Sequence, residues 1–149
     1  MRELRQESEI RAVLENARTI AVLGAHPDET RPAHYVPAYM REMGARIIPV
    51  NPRFVGRTIH GERVRETLTE IGEHVDVVDV FRRAENLPDH LDEILAMHPL
   101  PKVVWLQTGI RNDAFCDALK AKGIEVVQDR CMYADHRRMG IAPLAAPAG

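Results

Sequence analysis

The chain is short of cysteine: Cys116 and Cys131 are the only two, and no CxxC pair occurs. That excludes a disulfide framework and a cysteine-rich structural zinc site, and it points to a reducing compartment. Apolar runs are also short. No window reaches the roughly 18 uninterrupted apolar residues that read as a membrane span, and the opening MRELRQESEIRAVLENAR is too charged for a secretory leader. A cytoplasmic protein with no membrane attachment is the expectation. Neither sign of charge prevails. With 20 basic against 22 acidic side chains among 149 residues, charge offers no footprint for nucleic acid, and no motif names a protein partner.

What is present is a series of five apolar, β-branched runs: TIAVLG (19–24), IIPVN (47–51), VDVVDVF (75–81), KVVWLQTG (102–109) and IEVVQD (124–129). They begin 22 to 28 residues apart, the length of one strand plus one crossover helix. Helical stretches with boundary signals lie between them. Pro32 precedes 34–43, which Gly44 closes; Pro88 stands near the start of 87–97; Asn112 and Asp113 can cap 114–122, which Gly123 closes. Residues 9–17 form a further helix ahead of the first strand, with Ile10, Val13, Leu14 and Ala17 on one face. Runs with little alternation belong to strands covered on both sides. The fold class expected is therefore α/β: one Rossmann-like, doubly wound domain over residues 1–140, with a five-stranded, mainly parallel sheet flanked by helices. Residues 141–149, rich in small residues and proline, are expected to form a flexible tail.

In such sheets ligands bind beyond the carboxyl ends of the strands, where the winding reverses. The residues leaving the five runs are Gly24-Ala25-His26, Asn51-Pro52-Arg53, Phe81-Arg82-Arg83, Gln107-Thr108-Gly109 and Asp129-Arg130-Cys131. Turn residues, amides and arginines of this kind suit phosphates and a heterocycle. The GxGxxG fingerprint is missing, because only Gly24 stands where three glycines are needed. An NAD site also wants an acidic residue after the second strand, and Arg53 is there instead. Trp105, in mid-strand, reads as core, and Phe81, at a strand end, is the better neighbour for an adenine. Of the consecutive pair Arg82 and Arg83, side chains diverge on leaving a strand, so only one of them is expected to meet a ligand.

The segments VLGAHPDETRPAHYV, IIPVNPRFVGRTIHGERV, VDVVDVFRRAENLP, VVWLQTGIRNDAF and VVQDRCM, in this order and each at a strand end, resemble the small single-domain CoA-binding proteins. These are relatives of the CoA-binding domain of the succinyl-CoA synthetase α subunit, and the resemblance spans residues 15–134. It implies that coenzyme A or an acyl-CoA is the ligand. Gly24, Ala25 and His26 would line its phosphates with Arg31 behind them, and Asn51, Pro52 and Arg53 would flank the ribose and its 3′-phosphate. Phe81 and Arg82 would border the adenosine, and Gln107, Thr108 and Gly109 would face the pyrophosphate or the pantetheine arm. Cys131 would stand near the CoA thiol, forming a mixed disulfide with it or filling a small buried space. At His26 the family more usually has a small hydroxyl residue.

Two other readings stay open at this stage. AHPDE after a strand echoes the AHPDD signature of zinc-dependent amidosugar deacetylases, which would make His26 and Glu29 zinc ligands and Asp28 the base. Arg53 also permits an NADP-binding redox protein. Against the zinc reading, Asp28 and Glu29 are explained by the positive end of the following helix; the missing glycines disfavour NADP, and no nucleophile, base and oxyanion hole come together in the sequence. The expectation is non-covalent binding without independent catalysis.

Overall fold

A computed structural model describes residues 3–145. In chain order, α1 (Glu7–Asn16), β1 (Thr19–Leu23), α2 (Pro32–Glu42) and β2 (Arg46–Val50) lead into a small antiparallel hairpin of β3 (Thr58–Ile59) and β4 (Glu62–Arg63). Then come β5 (Val77–Val80), α3 (Pro88–Leu95), β6 (Val103–Leu106), α4 (Asp113–Lys120), β7 (Glu125–Val127) and α5 (Met132–Arg138). The main sheet has the order β2-β1-β5-β6-β7 and every neighbouring pair is parallel. This is the α/β Rossmann-like architecture expected from the five apolar runs.

Each strand of the main sheet buries both faces, which is why its sequence does not alternate. From β1, Ala21 and Leu23 join one core with Ile94 of α3 and Phe115, Cys116 and Leu119 of α4. Ile20 and Val22 join the other with Ile10 and Leu14 of α1, Val36 and Met40 of α2, and Met132 of α5. Leu14, Ile20 and Ile47 are no more than 1% exposed, and a fully buried side chain of this kind contributes about 1.5–3 kcal/mol. Trp105 is also fully buried and donates its indole N–H to the Arg130 carbonyl at 2.7 Å, a core residue as expected.

Local chemistry sets the helix ends. The Gln6 amide donates to the Glu9 carboxylate at 3.2 Å at the start of α1, which begins two residues earlier than expected. The Asn112 side chain accepts from the Phe115 amide at 3.0 Å and caps α4. Pro32 opens α2, where its missing N–H costs nothing.

Several details differ from the sequence expectation. The strands stop at Leu23, Val50, Val80, Leu106 and Val127, so the residues expected to end them stand in the loops beyond. The connection from β2 to β5 has the length of a crossover helix but contains none. Pro52, Gly56, Gly61 and Gly72 break it into two 3₁₀ turns and the hairpin. An unexpected helix, α5, follows Cys131. The tail expected from residue 141 is anchored as far as residue 145: Ile141 is buried, and the Leu144 amide donates to the Met43 carbonyl at 2.7 Å. Residues 146–149 lie outside the described residues. No helix among the described residues is long and apolar enough to cross a membrane.

The chain steps outward from β1 to β2, returns past β1 to β5, and continues to β6 and β7. The winding therefore reverses between β1 and β5, and a crevice opens between their carboxyl ends.

Candidate functional site

Gly24 leaves β1 with φ 93°, a conformation that favours glycine. A Cβ placed on it would stand 2.4 Å from the Phe81 carbonyl oxygen at the end of β5. The Gly24 and Ala25 amides both donate to the Val50 carbonyl, at 2.9 and 3.3 Å. These bonds pin the loop after β1 to the end of β2, while Phe81 at the end of β5 crowds it from the other side.

Beyond the loop a groove crosses the switch point in two lobes. The smaller, about 350 Å³, is walled by Gly24, His26, Asn51, Arg53, Phe54 and Arg82, among others. The larger, about 860 Å³, runs over Tyr35, Gln107, Thr108, Gly109, Ile110 and Cys131. Arg31, Ala33, Phe81 and Arg82 belong to both and form the partition. The start of α2 opens onto the groove through Arg31, Pro32 and Ala33, so the positive end of that helix favours an anion there.

The structure thus gathers every site residue expected from the sequence except Ala25. Ala25 is buried, and its carbonyl accepts from Asn51 Nδ2 at 2.9 Å. Its side chain packs in the core, and its backbone anchors the loop to Val50 and Asn51. Groove residues that sequence reading passed over include Ala33 and Tyr35 on the first turn of α2, Phe54, Glu85 and Ile110. Phe54 and Ile110 follow a recognised strand end by a few residues; Ala33 and Tyr35 come in through the packing of α2, which no local motif reports.

The cations differ in their settings. Arg53 is exposed, its guanidinium 5.1 Å from the Phe54 ring centroid. Arg31 is exposed and reaches Asp28 at 3.5 Å, a surface ion pair worth little on its own. Arg82 is half-buried. Its Nε has no hydrogen-bond partner among the described residues, and one terminal nitrogen reaches Asn51 Oδ1 at 3.4 Å. Burial lowers its pKa from the usual guanidinium value, against the pull of Glu93.

His26 carries its own constraint. Its Nδ1 accepts from the Asp28 amide at 3.0 Å, so the neutral ring holds its proton on Nε2. Burial, then the charges of Arg31 and Arg53, lower its pKa below the usual imidazole value. The ring packs edge-on to Phe54 at 4.8 Å. His26 is thus a neutral N–H donor beside three arginines.

Asp28 accepts from the Thr30 amide and hydroxyl at 2.9 and 2.7 Å, a local turn at the surface, and Glu29 is exposed. Among the described residues no three His, Cys, Asp or Glu side chains are placed to hold a metal ion. His26, Asp28 and Glu29 thus form no metal-holding group among the described residues, which corrects the zinc-ligand reading.

The wall of the larger lobe is tied together in the same way. Gln107 Oε1 accepts from the Met132 amide at 3.2 Å, and the Gly109 amide donates to Asp129 Oδ1 at 2.6 Å. Cys131 is partly exposed on this wall, whereas Cys116 is buried. A separate cleft of about 300 Å³ at the amino-terminal end of the sheet sets Lys102 among Glu9, Asp76 and Glu125, an unsuitable lining for an anion.

A glycine loop, a helix start and four arginines, Arg31, Arg53, Arg82 and Arg83, at a switch point agree with a sequence comparison. The CoA binding domain family matches residues 18–137. The chain belongs to this CoA-binding family. Among its relatives is YneT, an uncharacterized protein of Bacillus subtilis strain 168, 35% identical over 130 residues that cover 87% of this chain and 93% of YneT. The solved structure of cell-free ID.343 from Thermus thermophilus is 52% identical with a TM-score of 0.85, covering 91% of this chain and 99% of that one. A hypothetical protein from Pyrococcus horikoshii OT3 is 27% identical with a TM-score of 0.83, covering 92% and 94% respectively. This CoA-binding-family chain therefore shares its fold with relatives along nearly their whole length.

Proposed function

We infer that the groove binds coenzyme A or an acyl-CoA non-covalently. The observation that carries this reading is the two-lobed groove with Arg31 and Arg82 on its partition and Arg53 in the smaller lobe. Coenzyme A is itself two-ended, with a phosphorylated nucleoside joined through a pyrophosphate to a less polar arm. On this reading the pyrophosphate lies at the partition, against Arg31, Arg82 and the start of α2. The 3′-phosphorylated ribose takes the smaller lobe, with Arg53 and the His26 Nε2–H. The pantetheine arm enters the larger lobe, where Ala33, Tyr35 and Ile110 offer apolar wall to an acyl group.

The protein is proposed as a binding module without independent catalysis. His26, the imidazole on the groove, has Nδ1 occupied by the Asp28 amide and presents a donor, which suits recognition better than proton abstraction. Arg53→Ala tests the assignment. It should weaken CoA by at least about fivefold, close to 1 kcal/mol, and dephospho-CoA far less. A change below about twofold for CoA removes the phosphate role from Arg53. Tighter binding of NADPH than of CoA would favour a redox reading instead.

A further inference from the structure

Asn51 is only 4% exposed although it lies on the wall of the smaller lobe. A side-chain amide has two acceptor positions on oxygen and two N–H donors. Nδ2 donates to the Ala25 carbonyl at 2.9 Å; Oδ1 accepts from the Arg53 amide at 3.0 Å and from a terminal nitrogen of Arg82 at 3.4 Å. The partners fix the orientation, since both arginine groups are donors and must meet the oxygen. The oxygen is then fully used, and one N–H remains for a ligand.

The three partners leave three different strands: Ala25 follows β1, Arg53 follows β2 and Arg82 follows β5. One buried amide therefore joins the loops on both sides of the switch point. We propose that Asn51 is a positioning residue that couples Arg53 and Arg82 into one anion-recognising unit, and so sets the preference for a 3′-phosphorylated nucleotide. The proposal rests on the CoA reading of the groove.

The physical argument concerns what each arginine has without Asn51. Arg82 is half-buried with an unpartnered Nε, so loss of the Asn51 oxygen deprives a desolvated cation of a hydrogen-bond acceptor, and the side chain swings toward water. Arg53 sits in the 3₁₀ turn Pro52–Phe54, and the Asn51 side chain caps that turn through the Arg53 amide. Without the cap the turn loosens and the Arg53 guanidinium loses its fixed origin. Removing the amide should therefore act through both arginines together, and the effects of Asn51 and Arg82 substitutions should not add.

The experiment compares Asn51→Ala, Asn51→Ser and Arg82→Ala, singly and as Asn51→Ala/Arg82→Ala, by calorimetric titration with CoA and dephospho-CoA. Serine keeps an acceptor for the Arg53 amide but is too short for Arg82, and it serves if the alanine variant does not fold. Asn51→Ala should lower CoA affinity by about 30-fold and reduce the preference over dephospho-CoA to within about twofold. Asn51→Ser should recover part of that preference, and Arg82→Ala should add less than about twofold to the loss in Asn51→Ala. In the ligand-free protein, NMR should show faster exchange of the Arg53 amide in Asn51→Ala than in the wild type, and a shifted Arg82 Nε–H resonance in both Asn51 variants. A folded Asn51 variant with wild-type preference and unchanged resonances overturns the proposal. A wild-type protein indifferent to CoA overturns the CoA reading and the preference with it, while the NMR comparison still decides whether Asn51 holds the two arginines.

Discussion

Gly24 and Phe81 face each other across the switch point so closely that a single added carbon on Gly24 would lie 2.4 Å from the Phe81 carbonyl oxygen. That backbone oxygen cannot yield as a flexible side chain would, and Gly24 has a φ of 93° besides. Gly24→Ala therefore combines a clash with backbone strain of about 1–3 kcal/mol. Its melting temperature should fall by several degrees and its CoA affinity with it; a variant matching the wild type in both would show that the loop can move aside.

Asp79, in the middle of β5, is 1% exposed and neither carboxylate oxygen has a hydrogen-bond partner among the described residues. Burial raises its pKa well above the usual carboxylate value. The folded chain therefore keeps a proton that the unfolded chain releases, and stability falls as pH rises from the unfolded-state value toward the folded one. Asp79→Asn should flatten this slope and gain stability relative to the wild type at alkaline pH. Denaturant unfolding across pH 4 to 9 measures it, and parallel curves for the two proteins would contradict the assignment.

His26 is held neutral, so its contribution to binding should be that of an N–H donor. His26→Ala should cost about 1 kcal/mol, roughly fivefold in CoA affinity, and His26→Gln should restore part of it. Because its pKa is lowered by burial and by Arg31 and Arg53, affinity should not change between pH 7 and 8. A steep loss of affinity over that interval would mean that the charged imidazole is the binding form.

The two cysteines should separate under alkylation. Burial pushes the Cys116 thiol up to about 12, leaving almost no thiolate at neutral pH. Cys131, partly exposed in the larger lobe, should react first, and CoA should protect it. Mass spectrometry after brief iodoacetamide treatment reports both; unprotected Cys131 at saturating CoA would take the pantetheine arm out of that lobe.

Much of this architecture is legible in the sequence because buried parallel strands leave β-branched runs and the residues after them must form the rim. That rule reaches Gly24, Arg53, Phe81 and Gln107, which line the groove. The same rule expects Ala25 on the rim, but its side chain packs in the core. The β3–β4 hairpin has two-residue strands, too short for a period to register. The stretch MYADHRR carries no apolar repeat, so α5 is set by its contacts with α2 and α1 rather than by its own sequence. Tyr35 and Ala33 reach the groove through that packing, and the Asn51 bonds to Ala25 and Arg82 join residues 26 and 31 positions away. Such long-range pairing has no local signal.

The most direct measurement is a thermal-shift titration of the wild-type protein with CoA, dephospho-CoA and NADPH, because a ligand that binds the folded state stabilises it by about 2.7 kcal/mol at a hundred times its Kd. A saturable rise with CoA, a smaller one with dephospho-CoA and little with NADPH is the predicted result. Equal shifts with CoA and dephospho-CoA, or none with CoA, would contradict the account of the groove as a site for a 3′-phosphorylated CoA.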